Sequence, residues 1–285
     1  MSTVADRLFF IQYGAERVSK NLSLAGGRHH LYWEPLFGAL IETANGWILL
    51  DTGMSRRAHE DEANTAAYQA GGVDAPNLDT PWHFYPEPQT RNGWNWGKGD
   101  EPLVAALAEV GLAPSDIALA AISHMHVDHS GGIPVLARAG VPIAIQSAEL
   151  DFVRSGVVGI AEGFHEPDWT EPGTQFHALD GDTELAPGVW ALSTPGHTPG
   201  HQSFRIDLPE SGSWILAGDA ADLGQNFLDH VPCGSYAGAS EADEQRAWAS
   251  LGKLIEIGKD TNGRIIPGHD QLVLNAVRAP KGGHR

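Results

Sequence analysis

Ser123-His124-Met125-His126-Val127-Asp128-His129-Ser130-Gly131-Gly132 places three imidazoles and a carboxylate within one short stretch. The segment follows Ile117 to Ile122, an apolar run that reads as a buried strand, and precedes Ile133 to Ala139, which reads as a helix. It therefore occupies a strand-to-helix loop. Alternate residues of an extended backbone point the same way, so His124 and His126 can share one metal. Asp128 and His129 then face a second position as the chain turns, and Gly131 and Gly132 are expected to allow that turn without a Cβ penalty.

Three later segments supply the remaining ligands. His197 sits in Thr194-Pro195-Gly196-His197-Thr198-Pro199-Gly200-His201, Asp219 in Ala217-Gly218-Asp219-Ala220, and His269 in Ile266-Pro267-Gly268-His269-Asp270. Each lies just past an expected strand end beside glycine, where a scaffold presents side chains on the loops of one rim. Five histidines and two aspartates suit two first-row metals with open positions. Zinc is the default for such donors, and manganese, cobalt or iron fit similar ligands.

With these segments in hand the chain resembles the metallo-β-lactamase superfamily across nearly its whole length, including Leu49-Leu50-Asp51-Thr52-Gly53 as an early strand and turn. The resemblance implies an α/β fold, an αββα sandwich with the site at one edge. It implies His124, His126 and His197 on one metal, Asp128, His129 and His269 on the other, and Asp219 bridging. A carboxylate suits bridging because its oxygens can each take one metal of a pair about 3.5–4 Å apart.

Within the superfamily the chain is most similar to the N-acyl-homoserine lactonases and related lactonases. The segment from Thr194 to Ser203 carries the likeness, with Asn226-Phe227, Val231-Pro232 and the hairpin Pro35 to Gly53. Those lactonases have a tyrosine three residues beyond the bridging aspartate, against the substrate carbonyl; here that position is Asp222. Tyr236 and His230 are candidate replacements. The departure leaves open which lactone is opened: an N-acyl-homoserine lactone, a γ-butyrolactone, a pyridoxolactone or a natural-product lactone.

The expected reaction is attack of a metal-bridging hydroxide on an ester-type carbonyl, with Asp219 holding both metals and Asp128 relaying a proton to the leaving group. Other hydrolases of the superfamily (glyoxalase II-type thioesterases, β-lactamases, phosphodiesterases) use the same ligands. A redox di-iron site is disfavoured because that branch has a glutamate where this chain has His126. No GxSxG elbow, P-loop or dinucleotide fingerprint is present. His29, His30, His59, His83, His165, His177 and His284 lack ligand spacing and are expected at the surface or in loops.

The remaining composition bounds the answer. The 285 residues are 42% hydrophobic and 19% charged, a globular composition. A net charge of −18 argues against nucleic acid as a partner. No apolar stretch approaches the roughly 18 residues of a membrane span. The N-terminus lacks a signal-peptide pattern, so a cytoplasmic location is expected. Cys233, the sole cysteine, excludes an internal disulfide and an all-thiolate zinc site.

A single domain over 1–285 is expected, with an aromatic-rich insertion at about 55–100 carrying Pro81, Trp82, His83, Phe84, Tyr85, Pro86, Trp94 and Trp96 and a helix near Ala58 to Gly71. Tryptophans on the surface there would point to a homodimer. Strands are expected at Leu8 to Tyr13, Leu36 to Glu42, Trp47 to Asp51, Gln175 to Leu179, Val189 to Ser193, His201 to Ile206, Trp214 to Ala217 and Arg264 to Ile266. Asn45-Gly46 is expected to turn the first hairpin. Helices are expected at Pro102 to Val110, Ser147 to Arg154 and Glu241 to Ile257.

Overall fold

Ile48 and Leu50 enter one hydrophobic cluster and Leu49, between them, enters another. Successive side chains of a strand leave on opposite faces, so this strand is covered on both sides. The computed structural model describes residues 4–72, 93–237, 240–278 and 282–285. Twelve strands lie among them: β1 (Arg7–Ser19), β2 (Leu31–Thr43), β3 (Gly46–Leu50), β4 (Asn95–Gly97), β5 (Ile117–Ala121), β6 (Ile143–Gln146), β7 (Phe176–Leu179), β8 (Thr183–Ala186), β9 (Val189–Ser193), β10 (Gln202–Leu208), β11 (Gly212–Leu216) and β12 (Arg264–Ile266). One sheet has the order β4-β1-β2-β3-β5-β6-β7 and the other β12-β11-β10-β9-β8.

The sheets pack face to face through Ala39, Ile41, Ile48 and Leu50 on one side and Phe204, Ile206, Trp214 and Leu216 on the other. The opposite faces meet helices. Leu36, Leu40 and Leu49 pack with Leu103 and Leu107 of the helix Pro102–Glu109 and with Ile133 and Leu136 of the helix Ile133–Ala139. Ile215 packs with Leu251 and Leu254 of the helix Glu241–Thr261. The layers are thus αββα, as expected.

The long helix starts where Ser240 accepts the Asp243 N–H and ends at Asn262 in the left-handed region. It runs past Ile257 because Gly258 is a close approach: a Cβ there would stand 2.8 Å from Ile265.

Three expected features differ in detail. Only Gly46 has positive φ at the hairpin turn; Asn45 does not, and Thr43 Oγ1 steadies the corner by accepting the Asn45 N–H. β1 runs on to Ser19 because Gly14 does not end it. The register shifts there, and the missing Cβ admits the Trp96 carbonyl of β4, 2.1 Å from where a Cβ would stand. β2 begins at Leu31 although it contains Pro35. β3 pairs only with Ala39 to Thr43, so no strand needs the N–H that Pro35 lacks.

The expected helix near Ala58 to Gly71 is two helices, Arg56–Glu60 and Glu62–Gly72. Pro81 to Pro86 lie outside the described residues. Trp96 is buried against Ala15 and Trp33. Among the described residues no helix is long and apolar enough to cross a membrane.

Candidate metal centre

β3 and β5 are parallel, as are β11 and β12, and β9 runs with β11 because both are antiparallel to β10. The loops leaving their C-terminal ends carry Asp51 (after β3), His124 to His129 (β5), His197 (β9), Asp219 (β11) and His269 (β12). Ligand sites of open α/β sheets form outside such strand ends.

All seven expected ligands lie in one cluster of two lobes. In the first, His126 Nδ1 lies 2.9 Å from His124 Nε2 and 2.8 Å from His197 Nε2. In the second, His129 Nε2 lies 3.2 Å from His269 Nε2 and 3.0 Å from Asp128 Oδ2. Asp219 spans the two. Its Oδ1 is 3.1 Å from both His129 Nε2 and His269 Nε2, whereas its Oδ2 is 3.3 Å from His197 Nε2 and 3.7 Å from His124 Nε2.

The outer ring nitrogens decide what the inner ones offer. His197 Nδ1 donates to the Ser235 carbonyl, His269 Nδ1 to the Pro35 carbonyl and His129 Nδ1 to Asp51 Oδ2. A neutral imidazole that donates from one nitrogen presents a lone pair at the other. Ring lone pairs 3.2 Å from each other and 3.1 Å from a carboxylate oxygen repel unless a cation or proton lies between them. Outer nitrogens tied to carbonyls and carboxylates are also the usual support of metal-binding histidines. The donors fit a divalent metal in each lobe.

The electrostatics agree. Burial holds His124, His126 and His197 below the ordinary histidine range, His126 at about 3, so these rings are neutral. Burial disfavours the charged forms of Asp128 and Asp219, but the facing histidines outweigh it. Asp128 falls to about 2 and Asp219 well below the usual carboxylate range. Burial also opposes charge on His129 and His269, yet Asp128 and Asp219 raise the first, and Asp219 and Glu34 the second. Cation and proton thus compete for the second lobe.

Four bracing residues come from three segments, and local spacing gives little sign of them. Asp51 adopts φ 56° and accepts the Ser123 N–H (2.6 Å) as well as the His129 ring. Thr52 donates its hydroxyl to the His129 carbonyl. Glu149, fully buried, accepts the N–H groups of Met125 (2.9 Å) and Gly200 (3.0 Å), tying two ligand loops together. His201 donates from Nδ1 to the Thr194 carbonyl and accepts the Asp219 N–H at Nε2. It precedes β10 rather than beginning it. Gly218, at φ 53°, lets this ring approach: a Cβ there would lie 2.9 Å from His201 Nε2.

Gly131 and Gly132 serve differently from expectation. Gly132 has φ −83° and Gly131 φ −62°, conformations open to any residue. What each requires is space, since a Cβ would stand 2.1 Å from Ser55 N at Gly131 and 2.6 Å from Thr52 at Gly132. The bracing role of Asp51 gives a graded test. Asp51→Asn keeps a side chain that tolerates the left-handed backbone but weakens the acceptor for His129. The expected loss in metal affinity or turnover is about 10- to 100-fold, measured by metal titration and initial rates.

A cavity of about 300 Å³ opens onto the cluster, lined by His126, Asp128, His197, Asp219 and His269. Asp222 also lines it, with Cys233 donating to its Oδ1 at 2.9 Å; burial keeps this carboxyl well above the usual range. Tyr236 does not line it, and His230 is exposed at the end of the helix Gly224–Asp229. Of the histidines expected at the surface or in loops, His59 is buried in a helix and pairs with Asn95, and His165 is buried in a loop and pairs with Asp168.

A sequence model of the metallo-beta-lactamase superfamily matches residues 37–269. An N-acyl homoserine lactonase of Bacillus cereus is 31% identical over 270 residues, covering 93% of each chain. Among solved structures, an N-acyl homoserine lactone hydrolase with the product N-hexanoyl-L-homoserine at its catalytic metal centre superposes with a TM-score of 0.73 at 28% identity over 96% of both chains. A B. thuringiensis AiiA mutant with N-decanoyl-L-homoserine at the active site gives 0.74 at 29% identity over 96% of both.

Proposed function

The chain belongs to the metallo-beta-lactamase superfamily, and from that membership we propose that it is a single-domain lactonase with two zinc ions. His124, His126 and His197 would hold one ion, Asp128, His129 and His269 the other, with Asp219 shared. The observation that carries this reading is Asp219, whose two oxygens face the two lobes separately. The sequence likeness to lactonases of 93% coverage supports the substrate class. Bound there, the metal pair supplies Lewis acidity and shifts the pKa of water from about 15.7 toward 7.

The chain's own groups do the rest. Asp128 lines the cavity and is ionised at neutral pH, so it can accept a proton and return it to the departing ring oxygen. Val127, Leu22, Leu31 and Ile160 line the same cavity and restrict water around the ester. The Ser235 carbonyl fixes the His197 ring, and Glu149 holds the loops of His124 and His197 in register.

The test is proton release with N-acyl-homoserine lactones, simple γ-lactones and an aromatic lactone, with a thioester and a β-lactam as controls, in zinc-loaded and chelated protein. Zinc-dependent opening of a lactone is the expected result. Turnover of a control with silence on every lactone would keep a metallohydrolase and discard the lactonase.

A further inference from the structure

β1 and β2 form a long hairpin whose far half, beyond Gly14 and Leu36, reaches over the metal cluster. In its register Glu16 stands directly opposite Glu34. Both are buried, at 7% and 4% exposure, and both line the cavity beside His269. One carboxylate oxygen of each lies within 4.8 Å of the other and of a His269 ring nitrogen. Like charges directly opposite each other on a strand pair are destabilising, and burial adds to the cost.

Each carboxylate is half satisfied. Tyr68 donates to Glu16 Oε2, and Ser23 and Tyr32 both donate to Glu34 Oε2. Among the described residues no hydrogen-bond donor meets Oε1 of either. Both residues line the cavity. Asp222 adds a third carboxyl to the same lining. Arg17 also lines the cavity, but its guanidinium lies over Trp33 and Trp94, at 5.9 and 6.0 Å from the ring centroids.

We infer that Glu16 and Glu34 are the specificity-determining residues of this cavity and bind a protonated nitrogen group carried by the substrate next to its lactone ring. The inference rests on the lactonase reading for the ring and on the hairpin for the charge. Two unmatched acceptor oxygens call for a group with several donors, and an ammonium brings three N–H groups with a compensating charge. Their proximity to His269 places that group close to the metals, hence near the reacting ester rather than at the end of a long tail. A neutral alkyl amide offers one donor and no charge, and would leave the pair uncompensated.

The experiment separates recognition from turnover. Calorimetry on zinc-loaded protein compares L-homoserine with 4-hydroxybutyrate, ring-opened products that differ in the ammonium group. Kinetics compares α-amino-γ-butyrolactone with γ-butyrolactone and N-hexanoyl-homoserine lactone. The expected results are binding about tenfold or more tighter for the ammonium-bearing product, a matching preference in KM, and loss of both preferences in Glu34→Gln and Glu16→Gln. Equal binding of the two products in the unmodified protein would overturn the inference even if lactones are opened. So would a third equivalent of zinc lost in Glu34→Gln, which would give the carboxylates to a metal. Ammonium-selective binding without opening of any lactone would uphold it and remove the lactonase reading instead.

Discussion

Replacing Asp219 by alanine is expected to lower lactone turnover by about a thousandfold or more, roughly 4 kcal/mol of barrier, and to reduce bound metal in the same preparation. Asp219 is the one ligand whose oxygens face both lobes, so its loss opens both coordination spheres. In the proposed two-metal site it would also remove negative charge that offsets the buried cations. Initial rates and elemental analysis on one sample measure the two effects. Full turnover in a metal-replete Asp219→Ala protein would refute the shared role. The backbone at this position is held by the His201 ring through the Asp219 N–H, so the loop itself should survive the substitution.

Chelation is expected to lower the melting temperature by on the order of 10 °C and to abolish activity. A site at a hundredfold excess of metal over its dissociation constant adds about 2.7 kcal/mol, so two sites add roughly 5. In a domain of this size each kcal/mol is worth about 2–4 °C. The effect should be global, because the ligands come from both sheets: His124 to His129 follow β5 of one, while His197, Asp219 and His269 follow β9, β11 and β12 of the other. Scanning calorimetry with and without chelator, followed by zinc repletion, measures it. An unchanged melting temperature with activity lost would mean that the metals are held without bracing the sandwich.

The residues of the metal-site cluster were legible in the sequence because each sits beside a glycine or within one dense motif, at the end of a run whose apolar pattern already reads as a strand. The strand assignments held where both faces are covered, as at β3 and β9. They stopped short at Gly14 and Pro35, residues that normally interrupt strands. Here the first admits a neighbouring carbonyl and the second lies where β3 no longer pairs.

The bracing residues were hidden for a different reason. Asp51, Glu149 and His201 act on groups distant in the chain or across a turn; Asp51 and His201 lie in segments that carry the family likeness, but neither segment shows what its residue braces, and Glu149 reads as an ordinary helix residue. Glu16 and Glu34 were hidden too. Only the register of the hairpin brings them face to face, and two glutamates eighteen positions apart carry no spacing signal.

That hairpin also bears on how such a pocket changes over time. Side chains alternate along a strand, so inserting or deleting one residue in either arm would turn every later side chain to the opposite face. A change in the β1 arm would take Glu16 out of the cavity in one step and put a neighbour in its place, while the proposed metal ligands, carried on loops after other strands, would stay where they are. Substrate preference in this architecture can therefore switch discontinuously through single-codon length changes, with the hydrolytic centre left intact.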